Sequence, residues 1–495
     1  MNKSKLRYGG FSLVITILFL VAVILLNVFA GALTERYDIK IDLTEKGLYS
    51  LDDKAAELLR GIDERVDIIV LADESAWIAD PDLVRVVDIL KSYSAMSDGD
   101  VRVQYVNPKL NTFNGPKFGN SLDKLKEAYA ELEGMAENDV ILLSDRRATK
   151  VNAMDLYSWS YDYYGNMAPT AINVDQQFVS ALMYVLSDDV ARAVFIEGHD
   201  EAAAELLRML LDSCGYVCTN INIAFNEIPA DTTVVIAAAP VKDFTSDEVA
   251  KLESYLLTGG TAMIFYDSTA LTTPVLDGFL TQWGVEVESK LICDEQYSFM
   301  SLPSFVGAIP VSGGLPSLEG ADSITAYVGM YNARSIRSLW AGDSWGNFKQ
   351  SPILRTVSAS SYAKDFGSGN PTTLARESGD ESGPFTLGYS ITMLTQNLNK
   401  EQVYARLIVT TGGFIDDTVL YSAGTGLYNI SMLAGMANDL NPFGEIVYIA
   451  PKALAGEMMV VSAGQARTVL LVMVIAMPLI IAALGMLMWR KRRRL

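Results

Sequence analysis

The chain has 495 residues, half of them apolar, and a formal net charge of −20. That length exceeds one ordinary domain and supplies ample material for cores. The acidic balance excludes a nucleic-acid surface, which needs a basic face. The single histidine, His199, and the three cysteines, Cys214, Cys218 and Cys293, argue against structural zinc or a disulfide framework. Idle thiols are the plainer reading of the cysteines, and a Cys214–Cys218 bridge stays open beside it.

Residues 1–10 form a short basic tail with Lys3, Lys5 and Arg7. Residues 11–33 are apolar except for Ser12, Thr16 and Asn27. At about 1.5 Å per residue they are long enough for a hydrocarbon core of about 30 Å. A cleaved signal peptide ending at Ala30-Gly31-Ala32 is the rival, and length favours an uncleaved anchor.

Residues 34–190 read as a first α/β region. Alternation predicts an edge strand at Tyr37–Leu43. Ser50 is placed to cap a helix at Asp52–Arg60, with Asp53 as the carboxylate of a capping box. Strand Val66–Leu71, helix Pro81–Met96, strand Val101–Val106, helix Ser121–Glu131 and strand Asp139–Ser144 follow. A tyrosine-rich segment then carries Tyr157, Tyr161 and Tyr164. Two readings stay open for it: an exposed sugar- or protein-binding patch, or the cover of a core edge. Helix Gln176–Ser187 closes the region.

Residues 191–300 hold the clearest pattern. Strands at Ala191–Ile196, Val234–Ala239 and Thr261–Tyr266 are continuously apolar, as in a parallel sheet covered on both faces. Between and after them lie a helix with Leu206, Leu207, Leu210 and Leu211 on one face, a helix at Ser246–Leu257 and a helix at Pro274–Trp283. The turn after the first strand reads Glu197-Gly198-His199-Asp200-Glu201, and Asp267 follows the third.

Residues 301–465 read less clearly. A loop-rich entry leads to strands at Arg355–Ala359, Thr386–Ile391 and Ala405–Thr411, an exposed loop at Lys364–Gly383 and a helix at Asn429–Leu440. Residues 466–489 form a second membrane-length segment, apolar from Val469 to Trp489, and 490–495 a basic tail. Cations beside both apolar segments place both termini in the cytoplasm. The expected protein is therefore a two-pass protein of the cytoplasmic membrane, in contact with the lipid bilayer, whose main domain is extracytoplasmic.

Several of these stretches carry a resemblance. Asp42-Leu43-Thr44 with Tyr49-Ser50-Leu51, Gln176-Gln177 with Ser180-Ala181-Leu182, and Gly198-His199-Asp200-Glu201 come in the order seen in the GldG family. Ile228-Pro229-Ala230-Asp231, Pro240–Phe244 and Tyr255–Gly260 continue it, so the resemblance covers about residues 35–290 and the last apolar segment. That family consists of auxiliary proteins of an ABC-type transport system associated with gliding motility. The resemblance implies ABC permease and ATPase subunits as partners. It also implies parallel-sheet domains, amidotransferase-like or flavodoxin-like, that bind or scaffold without catalysing. Where the family commonly shows Gly-His-Gly-Glu, this chain has Asp200 in the third position.

The chemistry agrees with that implication. An amidotransferase needs a cysteine on a tight strand-to-helix turn and a histidine base. The turn after Ala239 offers Pro240-Val241-Lys242-Asp243 instead. A Gly-x-x-x-x-Gly-Lys-Ser/Thr loop is absent from the sequence. Glu197, His199, Asp200 and Glu201 suggest either an acidic cation cluster or a plain turn, with Gly198 bending the chain and Asp200 or Glu201 near the next helix start. The plain turn is preferred, and no cofactor is expected. Two rival functions remain: a stand-alone receptor or adhesion module, and an envelope hydrolase using carboxylates such as Glu197 and Asp267.

Overall fold

Apolar strands flanked by amphipathic helices build two α/β units in the computed structural model. It describes residues 50–161, 167–266, 273–320, 326–365, 373–397, 399–423, 427–443, 447–449 and 451–454. The first unit contains α1 (Asp53–Arg60), β1 (Val66–Val70), α2 (Glu74–Ala79), α3 (Leu83–Met96), β2 (Val101–Tyr105), α4 (Leu122–Ala128), β3 (Val140–Leu143) and β4 (Ala148–Val151). Its sheet runs β2-β1-β3-β4, with only the β1–β2 pair parallel. Asp52, not Ser50, caps α1, its carboxylate accepting from the Lys54 amide at 2.9 Å. The helix expected at Pro81–Met96 is α3, which starts at Leu83; the separate α2 ends at Ala79, because the residue before a proline is driven out of the helical region. Asp80 is extended there, and its Oδ1 accepts the amides of Asp82 and Leu83 to start α3.

Strands β5 (Tyr157–Tyr161) and β6 (Met167–Ile172) form a hairpin, and α5 (Val174–Leu186) leads into the second unit. There β7 (Arg192–Glu197), α6 (Glu205–Ser213), β8 (Val217–Asn222), β9 (Val234–Ala238), α7 (Ser246–Leu257), β10 (Thr261–Tyr266) and α8 (Pro274–Gln282) alternate. A long β stretch follows: β11 (Val285–Asp294), β12 (Phe305–Pro310), β13 (Val328–Tyr331), β14 (Arg334–Ser338), β15 (Ser344–Trp345), β16 (Phe348–Thr356), β17 (Ser361–Asp365), β18 (Glu381–Ser382), β19 (Thr386–Gln396) and β20 (Gln402–Thr411). Helices α9 (Asp417–Ala423) and α10 (Asn429–Leu440) and strand β21 (Lys452–Ala453) complete the described chain.

The central sheet runs β13-β12-β16-β19-β20-β10-β9-β7-β8. Its half from β20 to β8 is wholly parallel. Taken in chain order, those five strands lie 2-1-3-4-5, the doubly wound order whose direction reverses between β7 and β9. Successive residues of β9 enter opposite cores. Ile236 packs on the side of Leu207 and Leu433, while Val235 and Ala237 pack on the side of Leu252 and Phe279.

Two expectations are corrected here. The fold is not made of parallel-sheet domains. The other half of the central sheet is antiparallel, as are the sheets β14-β11-β17-β18 and β21-β6-β5. The reason is connectivity: parallel neighbours need a crossover, usually a helix. No α-helix occurs among the described residues between 285 and 416. The two-pass membrane placement, with an extracytoplasmic domain between two spans, is also not upheld. No helix among the described residues is long and apolar enough to cross a membrane. The segments 11–33 and 466–489, the strand expected at Tyr37–Leu43 and the terminal tails lie outside the described residues.

Candidate functional site

In doubly wound sheets the crevice beyond the carboxyl ends of the strands, where strand order reverses, is the place for chemistry. Here that point lies between β7 and β9, and His199 stands at it. Gly198 makes the bend with φ +123°, and Asp200 follows in the left-handed region at φ +56°. Glycine enters that region freely and aspartate is among the few side chains that tolerate it, so Asp200 keeps the backbone path that a glycine would take.

The imidazole is buried and grasped from both sides. Nδ1 lies 2.9 Å from Glu201 Oε1, and Nε2 lies 3.3 Å from Glu248 Oε2, on the first turn of α7. The Phe244 ring stacks on it at 4.0 Å between centroids and an interplanar angle of 11°. Burial alone would lower the imidazole pKa, but hydrogen bonds and charge from Glu201 and Glu248 outweigh it and hold the pKa above its ordinary value. Burial acts to raise both carboxyls. Hydrogen bonds from His199 and the backbone depress Glu201, while those from Thr245 and His199 depress Glu248. Both carboxylates thus favour the protonated imidazole.

Backbone contacts tie the same loops together. The amides of Val241 and Lys242 each donate to the His199 carbonyl at 2.9 Å, and the Ala202 amide donates to the Ala238 carbonyl at 2.8 Å. Glu201 does not reach the next helix. Its Oε2 turns back to accept the amides of Gly198 at 3.1 Å and His199 at 2.9 Å. The start of α6 is served instead by Asp417, whose Oδ1 accepts the Leu206 amide at 3.2 Å. Glu248 completes a capping box with Thr245 on α7.

The end of β9 carries no nucleophile: Ala239 follows it, and the next helix starts only at Ser246. Ala239 has φ +53°, is buried, and faces Gly412 so closely that a Cβ there would lie 2.7 Å from its own. The cysteines supply no substitute. All three are free, and burial raises the Cys214 and Cys293 thiols to about 12 and the Cys218 thiol further.

The structure brings His199 and Glu201 together and leaves the other expected residues around or away from them. Glu197 is exposed and accepts from the Asn220 amide group. Asp200 is exposed and pairs with Lys242 at 2.9 Å. Tyr157 is 3% exposed, donates to the Asp82 carbonyl at 2.5 Å and meets Trp159 edge-on. Tyr161 is described only as the last backbone position of β5, and Tyr164 and Asp267 lie outside the described residues. Among the described residues no group of three or more histidine, cysteine or carboxylate side chains is arranged to hold a metal ion. Glu248, Thr245 and Phe244 are site residues that sequence reasoning missed. The Thr245-x-x-Glu248 spacing marked a helix start, but nothing in it pointed to His199.

Residues 183–308 match the model of a family described as an ABC-type uncharacterized transport system. This match suggests an auxiliary component of an ABC-type transport system. It suggests an accessory, non-enzymatic role in association with transporter components. Residues 45–157 match a domain of unknown function. No curated protein matches the chain. Among solved structures it is similar to the mmIFT52 N-terminal domain, at 13% identity over 52% of this chain and 100% of that one, with a TM-score of 0.37. A ThuA-like protein from Parabacteroides merdae matches at 10% identity over 56% and 99%, with a TM-score of 0.31. PurLQS from Thermotoga maritima matches at 11% identity over 51% and 100%, with a TM-score of 0.27. At these TM-scores the likenesses say nothing about function.

Proposed function

We propose that the chain is a non-ATPase auxiliary subunit of an ABC-type transport system, with its central sheet as a binding or relay scaffold. The family match over residues 183–308 carries this reading. The switch point supports it. The charged side chains there, His199, Glu201 and Glu248, are engaged with one another and with the loop backbones. The sequence has no phosphate-cradling loop, so a partner chain would hydrolyse ATP and another would form the permease. The finer kinship with the GldG family rests on the ordered motifs between residues 35 and 290. Glu197 and the Asp200–Lys242 pair, on the exposed rim around buried His199 and Glu201, form the face offered to a partner. Purifying the tagged chain from its own cells in mild detergent, and identifying what accompanies it by mass spectrometry, tests this. An ABC ATPase and a permease should co-purify, and recovery of the chain with neither would end the proposal.

A further inference from the structure

Asp175 and Gln176 open α5, the helix between the two α/β units, and both side chains are buried. Both reach the far end of the described chain. Lys452 Nζ donates to Asp175 Oδ2 at 2.8 Å and to the Ser50 carbonyl at 2.6 Å. The same Oδ2 accepts the Asp52 amide at 3.1 Å, and Lys54 Nζ donates to the Tyr448 carbonyl at 2.9 Å. The Ile449 amide donates to Gln176 Oε1. From its other end Gln176 donates through Nε2 to the Ser213 carbonyl, at the last residue of α6, at 2.6 Å, and Ser180 donates to that carbonyl too. Ile449 is buried against Ala55 and Val179, and β21 pairs with β6. One small network therefore joins the start of the described chain, its end, and the joint between the two sheets.

We propose that residues 447–449 and 451–454 act as a releasable strap, which clamps the start of α1 and the joint at Gln176–Ser213 when closed and frees both together when displaced. Its chemistry is that of a latch. Its described contacts combine hydrogen bonds and one buried ion pair with apolar packing of Val447, Tyr448, Ile449 and Leu454. Asp175 Oδ1 is buried without a hydrogen-bond partner, a penalty that the closed state carries and the open state loses to water. The geometry also sets what can work the latch. Ser50 and Lys452 are in contact, and Lys452 also holds Asp175, so a partner that displaces Lys452 would act on the start of α1 and on α5 together.

Native-state hydrogen exchange of the unmodified chain in low urea provides the test. Amides of Ala55–Arg60, of the first turn of α5 and of Cys214–Tyr216 should open as one group, at lower urea than those of β9 and β10. Lys452→Met should speed exchange in that group by about tenfold or more and leave β9 and β10 at their original rates, while Lys452→Arg stays near the unmodified chain. If the group exchanges only through global unfolding, or if Lys452→Met speeds all strands alike or none, the strap proposal is overturned. Should the Lys452 variant not fold, the urea series on the unmodified chain decides alone.

Discussion

The His199 imidazole is held between two carboxylates in a site that water barely reaches, and the consequences of its protonation can be worked out from the charges. Removing one partner of a buried ion pair leaves the other uncompensated, which destabilises by about 3–5 kcal/mol. His199→Leu should lower the unfolding free energy by that order, read from urea titration at pH 6. The pH dependence has two limbs. A histidine whose folded pKa is raised contributes stability that is complete below its ordinary pKa of about 6.5 and is lost as pH rises through the folded value. Glu201 and Glu248, held below the ordinary carboxylate pKa, contribute stability that is complete above about pH 4.5 and is lost as pH falls through their folded values. The cluster should therefore stabilise most between about pH 4.5 and 6.5. Subtracting the His199→Leu profile from that of the unmodified chain should leave a difference that shrinks above pH 6.5, and parallel profiles there would refute the assignment. The sequence displayed the bend, since Gly198 and the flanking acids are adjacent. It could not display the clasp, because Glu248 stands 49 residues from His199 and meets it only through the β7–β9 pairing.

At the scale of elements, the turn after β20 meets β13, in the antiparallel half of the sheet, through a glycine that leaves no room for a side chain. A Cβ on Gly413 would lie 1.7 Å from the Tyr331 carbonyl oxygen, at the end of β13. Backbone cannot swing aside as a side-chain tip can, so Gly413→Ala must push β13 away from the turn after β20. Overpacking of this kind costs about 1–3 kcal/mol. The variant should lose that amount in urea titration, with the loss concentrated in exchange of Val328–Met330; unchanged protection there would contradict the packing. Strand legibility followed burial. The apolar runs of β7, β9 and β10 were visible because both their faces are covered. Strand β8 was hidden because it is an edge strand with Thr219 and Asn220 exposed. Strand β11 alternates charged and apolar residues, and its Glu286, Glu288 and Lys290 engage in ion pairs with Arg337 and Glu381. Strand β16 carries Pro352, which speaks against a strand interior, yet it fits beside the register shift between Pro352 and Leu354.

Across the whole molecule, the segment matched as ABC-type transport and the segment that folds are different lengths. The match ends at residue 308. Strand β10, inside it, is paired along its whole length with β20, Thr261 to Tyr266 lying in register with Arg406 to Thr411. The core on the α6 side is also shared, since Phe195, Ile236 and Phe265 pack with Leu387, Ile408, Phe414 and Leu433. A piece cut at residue 308 would expose that core and leave the central edge of a parallel sheet unpaired, an invitation to association. Residues 183–308 expressed alone should therefore lack a near-ultraviolet circular dichroism signal and unfold without a cooperative transition, whereas residues 183–443 should show both. A sigmoidal urea transition from the short piece would mean that the antiparallel half is an appendage, and that β10 does not need β20 to hold its place.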